Sequence, residues 1–233
     1  MKLLAFDTST DPLSIAVQHG TQVWQYSGPG GAQSSASLIP AILDLLQQAG
    51  LTLEALDAIV FGRGPGSFTG LRTACAVAQG LAWGAQRPVL AIDTLLAVAE
   101  EARATHGATE VLAVLDARMD EVYHAPYRWD GAQQQWQALA ECALCAPEAL
   151  ALPAGFVIAG NAAPAYGARL PSGPQAPLAA LPSASALLRL APALLAAGAA
   201  QPADQALPLY VRDKVAQTTA ERAAARQAAQ AGA

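Results

Sequence analysis

The sequence predicts an α/β fold made of two similar halves around a cleft. Two observations carry this prediction. An apolar strand that ends in an aspartate and returns as an alternating strand occurs twice, at residues 3–18 and again at 111–127. Strands and helices also alternate along much of the chain, a pattern typical of α/β domains. We place the N-terminal half at 1–105 and the C-terminal half at 106–213, and leave the Ala-rich segment 214–233 as a helical or disordered tail.

Each element follows from local patterns. Alternation and turn residues predict a hairpin and a third strand, and amphipathic periodicity predicts the first helix. In the first half we expect strands at 3–7, 13–18, 22–26, 55–61 and 89–93, with helices at 37–48, 68–85 and 95–104. In the second half we expect strands at 111–116, 121–127, 139–144 and 156–159, a helix at 185–197 kinked or divided by Pro192, and an extended segment at 207–212.

Composition limits the classes of function. Of 233 residues, 53% are hydrophobic and 13% charged, and the net charge is −5 with a pI near 5.1. An acidic chain lacks the basic surface that nucleic acids need, so any RNA would be held by a partner. Three cysteines, no leader-like apolar segment before Asp7 and no long uninterrupted apolar stretch favour a cytoplasmic protein with no membrane contact.

A glycine-rich turn, GRGPGSFTGLR at residues 62–72, joins the strand at 55–61 to the following helix. A helix N-terminus behind such a turn presents N–H groups that can hold an anion. However, the chain's only lysines are Lys2 and Lys214, and Ser67 stands where a dinucleotide fingerprint needs glycine. The turn therefore matches no generic phosphate motif, and a plain strand-to-helix junction capped by Ser67 is an equal alternative.

Asp7 and Asp116 end the two repeated strands. Facing each other across a cleft, such carboxylates can cradle phosphates through a bound cation. The alternative is that each aspartate supports only its own turn.

The helix after the glycine turn carries no charge from Thr73 to Gln86. Small residues recur at four-residue spacing in two rows, Gly70, Ala74, Ala78 and Ala82 in one and Ala76, Gly80 and Gly84 in the other. Such rows allow another helix to approach closely. Burial within the chain's own domain and use as a subunit interface both explain them.

Cys142 and Cys145 form an isolated C-x-x-C without a second ligand pair, and the three histidines are scattered. We therefore expect ordinary thiols and assign no metal ligand.

Four separated motifs in this sequence resemble those of the TsaB (YeaZ) family, within the actin, sugar-kinase and Hsp70 fold class. They are Asp7-Thr8-Ser9-Thr10, Gly64-Pro65-Gly66-Ser67-Phe68-Thr69-Gly70-Leu71-Arg72, the run from Asp116 to Tyr123, and Pro208-Leu209-Tyr210-Val211-Arg212. They span residues 3–212. The resemblance implies a signature turn built on Gly64, Pro65, Gly66, Ser67, Gly70 and Arg72.

The resemblance also implies a role in making N6-threonylcarbamoyladenosine at position 37 of tRNA. In that role the chain is a non-catalytic scaffold for the transferase TsaD, joined by the ATPase TsaE. The family uses its N-terminal helices for homodimers and for the TsaD heterodimer, which implies an interface at Leu38, Ile42, Ala76, Gly80, Trp83 and Gly84. A vestigial nucleotide cleft is implied at Asp7, Thr8, Asp116, Gly160 and Asn161, with weak or absent ATP binding and no cofactor.

Two enzymatic alternatives remain open. One is an ATP-dependent kinase-like enzyme of the same superfamily. The other is an M22-type metallopeptidase, but residues 33–40 hold no histidine where catalytic relatives carry H-x-x-x-H. This departure supports an inactive subunit without a metal.

Overall fold

The computed structural model describes residues 1–31 and 34–212, so the tail at 214–233 lies outside the described residues. Its frame is two mixed β-sheets. The first sheet contains β1 (Lys2–Asp7), β2 (Leu13–His19), β3 (Gln22–Gly28), β4 (Ala58–Gly64) and β5 (Val89–Asp93). The second contains β6 (Glu110–Arg118), β7 (Glu121–Asp130), β8 (Gln135–Ala138), β9 (Ala143–Cys145), β10 (Val157–Gly160) and β11 (Leu178–Ala179).

The two sheets share one topology. The first has the strand order β3-β2-β1-β4-β5 and the second has the order β8-β7-β6-β10-β11, with β9 added beside β7. In each sheet the aspartate-ended strand pairs antiparallel with its hairpin partner and parallel with a strand from later in the chain. This correspondence confirms the duplicated actin and sugar-kinase type of α/β fold.

Helices cover both sheets and separate them. They are α1 (Ser34–Gln48), α2 (Phe68–Ala85), α3 (Thr94–His106), α4 (Ala162–Tyr166) and α5 (Ala184–Ala196). The first two cover the outer face of the first sheet, and α3 contributes to the cores of both sheets from between them. The last helix, α5, returns to pack on the inner face of the first sheet and runs through Pro192 without division. No described helix is long and apolar enough to cross a bilayer.

The strand expected at 139–144 is wrong. Two shorter strands take its place: β8 ends at Ala138, just before that region, and β9 begins at Ala143, within it, and both pair with β7. The chain leaves the ladder between them opposite Pro126, whose carbonyl accepts a hydrogen bond from Leu139 N at 2.9 Å. Proline has no N–H to return, so the ladder cannot continue past this point.

Candidate functional site

The glycine-rich turn packs tightly against the turn between β1 and β2. Thr8 Oγ1 donates to the Gly70 carbonyl at 2.7 Å, and Ser67 N donates to the Ser9 carbonyl at 2.8 Å. A Cβ at Gly70 would lie 1.8 Å from the Thr8 oxygen, so only glycine permits this approach. Gly66 lies directly against Ser9. These contacts favour the interpretation of the turn as a strand-to-helix junction.

The remaining signature residues have structural contacts of their own. The peptide between Gly64 and Pro65 is cis, and Gly64 N donates to Thr94 Oγ1 at 3.1 Å. Ser67 caps α2 by accepting from Gly70 N. At the next turn of the helix, Arg72 lies 3.9 Å from the centre of the Phe68 ring and donates to the Tyr210 hydroxyl at 3.1 Å.

Asp7 is sealed inside the first half and does not line a cleft. Its Oδ1 accepts from the backbone and hydroxyl of Ser9, at 2.8 and 2.6 Å. Its Oδ2 is buried against Gly62 without a hydrogen-bond partner. Burial raises the pKa of this carboxyl to about 6, against the lowering effect of the Ser9 hydrogen bonds. Of the two interpretations left open, Asp7 fits support of its own turn, because its carboxylate is turned into the protein and accepts from Ser9.

Asp116 lies at the surface of the cleft, and its oxygens are already engaged. Its Oδ1 accepts from Arg118 N at 2.7 Å and from the Tyr166 hydroxyl at 2.8 Å, and the Arg118 guanidinium lies 3.1 Å from Oδ2. Asn161 holds the same strand end by accepting from Asp116 N at 2.8 Å. Gly160 lies against the Val114 carbonyl, beneath the surface.

A cavity of about 420 Å³ is lined by residues of both halves. Of the five residues expected in a nucleotide cleft, Asp116 and Asn161 line it, whereas Asp7, Thr8 and Gly160 do not. The cavity is also lined by residues to which the sequence assigned no cleft role, Ser9, Thr10, Asp11, Gly31, Leu115, Ala117, Arg118, Tyr123 and residues 209–212. For residues 209–212, the sequence motif at 208–212 was the only feature that could have indicated a role in the cavity.

The two small-residue rows of α2 have opposite environments. Gly70, Ala74, Ala78 and Ala82 are buried against the first sheet, whereas Ala76, Gly80 and Gly84 are exposed. A Cβ at Gly80 or Gly84 would meet no atom within 4 Å. Trp83, beside this exposed row, is 74% exposed. The buried row therefore packs within the chain's own domain, and the exposed row is the side of the helix on which an interface stays a prediction.

The two interface residues expected on α1 are wrongly placed. Leu38 and Ile42 are fully buried in the core, because the apolar face of this amphipathic helix points at the sheet. The exposed apolar residues of α1 are Ile39 and Leu43, at 42% and 50%. Their four-residue spacing puts them on one face. Ile39 and Leu43 lie outside the apolar stripe that faces the core, and this position in the sequence could have indicated that they are exposed.

The three cysteines form no disulfide with one another. Cys75, Cys142 and Cys145 are all free, and burial raises the pKa of Cys142 to about 12, with Asp93 adding to the effect. Within residues 1–31 and 34–212, no three His, Cys, Asp or Glu side chains come together as a metal site.

Comparison with known proteins identifies the family. The chain is 34% identical over 229 residues to the tRNA threonylcarbamoyladenosine biosynthesis protein TsaB of Escherichia coli K12, covering 93% of this chain and 96% of the relative. The chain belongs to the TsaB family. The TsaB of Haemophilus influenzae is 40% identical over 154 residues, 64% of this chain and 65% of the relative.

Other comparisons agree with the TsaB assignment. The family model described as TsaD, tRNA N6-adenosine threonylcarbamoyltransferase, matches residues 30–225. The structure of YeaZ from Pseudomonas aeruginosa is 42% identical, with a TM-score of 0.83, over 90% of this chain and 99% of that one. A second structure, described as an uncharacterized protein with similarity to peptidase YEAZ from Pseudomonas aeruginosa, is 41% identical with a TM-score of 0.84, over 91% of this chain and 99% of that one.

Proposed function

We propose that this chain is a non-catalytic subunit that binds a TsaD-like paralogue during formation of N6-threonylcarbamoyladenosine on tRNA. The observation that carries the proposal is the exposed row of α2, Ala76, Gly80 and Gly84, beside the exposed Trp83. With Ile39 and Leu43 of α1, we call this surface the partner face. It has the composition of a helix-packing surface that faces solvent in the isolated chain.

The glycines of the partner face support close approach by another helix. Glycine inside a helix costs about 0.5–1 kcal/mol relative to alanine, so a glycine pair needs a reason. No atom of this chain occupies the space above Gly80 or Gly84. A partner backbone packed there would use that space, and Trp83 would supply an aromatic anchor of the kind that dominates binding energy.

The geometry of the cleft supports a role without chemistry. Asp7 is sealed from the cavity, and Asp116 is engaged by Arg118 and Tyr166. We therefore propose that the chain has no cofactor of its own and that isolated protein binds ATP weakly or not at all. Calorimetry with ATP and magnesium tests this point. Micromolar affinity for the chain alone would favour the kinase-like alternative.

The other partners follow from the same surface and from charge. In the absence of its paralogue, the partner face would pair with a second copy, giving a homodimer. A net charge of −5 argues that tRNA is reached only through the assembled complex, which a TsaE-like ATPase would join in the cytoplasm.

Reconstitution tests the proposed role. Purified chain, given threonine, bicarbonate, ATP, tRNA and the adenylate-forming enzyme, should yield no modified tRNA. Adding TsaD-like and TsaE-like proteins should produce it, and omitting this chain should abolish it. Product formed without the TsaD-like protein would place the catalytic centre in this chain and contradict the proposal.

A further inference from the structure

We infer that residues 206–212, here called the strap, form a latch that holds the two halves closed over the cavity and couples α2 to the turn between β6 and β7. This inference goes beyond the proposed function, because it concerns motion within the chain and holds whether or not a partner binds.

The strap is fastened to the first half along α2 and the glycine-rich turn. The Ala206 carbonyl accepts from Cys75 Sγ at 2.7 Å and Gln79 Nε2 at 2.8 Å. Leu209 N donates to the Arg63 carbonyl at 2.7 Å. Tyr210 then stacks on Phe68, with 5.6 Å between ring centres. Backbone, thiol and aromatic contacts thus run along one side of α2.

The other end of the strap contacts the second half through Val211, which packs against the core of the second sheet, and through the polar contacts of Arg212. Arg212 Nη2 donates to the carbonyls of Ala117 and Arg118, at 3.1 and 3.3 Å, and to Glu121 Oε2 at 2.6 Å. The Arg212 side chain is only 14% exposed. Because residues 209–212 of the strap line the cavity and contact both halves, the cavity cannot widen there unless one set of contacts breaks.

The turn that Arg212 holds is conformationally strained. Arg118, Met119 and Asp120 have φ values of 61°, 56° and 59°, three consecutive non-glycine residues in the left-handed region. Such residues cost free energy and persist where surrounding contacts enforce them. Here the enforcing contacts are Arg212 on the carbonyls and Arg169 on the Asp120 carboxylate, at 2.7 Å. Release of Arg212 would therefore let the turn relax.

Hydrogen exchange in the full chain tests the latch without any ligand. In the unmodified protein, the amides of Leu209 and Arg118 should have matching protection factors, because one opening event exposes both. Tyr210→Ala, which removes the contacts with Phe68 and Arg72, should speed exchange roughly tenfold in residues 116–121 on the far side. Arg212→Ala should likewise speed exchange in residues 63–72. Arg128→Ala, which breaks a surface ion pair with Glu110, is the matched control and should leave both regions unchanged.

Two results would overturn the latch. One is clearly different protection factors for the Leu209 and Arg118 amides in the unmodified protein. The other is a variant response confined to the mutated side, which would make the two ends of the strap independent contacts. Circular dichroism of each variant establishes that it is folded before exchange is measured.

Discussion

At the residue scale, the buried carboxyl of Asp7 makes stability depend on pH. Its pKa in the folded protein is about 6, against 3.8 as the ordinary value, because burial disfavours the charged form. The folded state therefore holds a proton that the unfolded state releases between these two values. This favours the fold below pH 3.8, and the contribution is lost as the pH rises through 6.

Replacing Asp7 with Asn should flatten this dependence. Between pH 5 and pH 7, the free energy of unfolding of the unmodified protein should fall by about 1 kcal/mol relative to Asp7→Asn. Urea unfolding at both pH values measures the difference. Burial lowers the pKa of His124, which gives an opposing slope, but the same slope is present in both proteins and cancels. Parallel pH profiles for the two proteins would show that Asp7 is ionised in the fold.

At the element scale, α2 has one buried face and one exposed face, and the glycines on these two faces have different surroundings. Gly70 is required because its neighbour is the Thr8 carbonyl of the same chain. Gly80 has no internal neighbour that requires it. The helix therefore offers a matched pair of identical substitutions with opposite expected effects.

Gly70→Ala should destabilise the chain by roughly 1–3 kcal/mol, because its methyl group would displace the β1–β2 turn. Gly80→Ala should raise stability by about 0.5–1 kcal/mol through lower backbone entropy in the unfolded chain. Thermal or urea unfolding of the isolated variants measures both. Equal destabilisation by the two substitutions would mean that Gly80 is also packed within the chain.

The elements also mark how far sequence can predict this structure. The limits of α2 and β5 were predicted to the residue, because glycine, proline and a serine cap mark them. Long-range contacts could not be predicted. Glu100 is buried and accepts from Trp136 and Arg189, which reach it only in the fold. The burial of Asp7 could not be predicted for the same reason. The sequence around Asp7 resembles that around Asp116, but in the fold Gly62 and Ser9 enclose the Asp7 carboxylate.

At the scale of the whole molecule, duplication gives two similar halves with different surfaces. The first half exposes apolar side chains on α1 and α2. Between the halves, residues 209–212 of the strap line the cavity. The rows of small residues in the sequence could indicate α2 as a candidate interface. Which residues of α1 remain exposed depends on how that helix packs on the sheet. That is why the sequence indicates Leu38 and Ile42 as interface residues, whereas the structure buries these two and exposes Ile39 and Leu43.

The most direct test of the partner face is the affinity of this chain for a TsaD-like paralogue, measured by calorimetry on purified proteins. Gly80→Arg places a charge and a long side chain where close helix packing is expected, and should weaken binding by at least roughly a hundredfold. Ala193→Arg, on an exposed position of α5, is the matched control and should bind as the unmodified protein does. Wild-type affinity in a folded Gly80→Arg protein would show that the partner binds elsewhere.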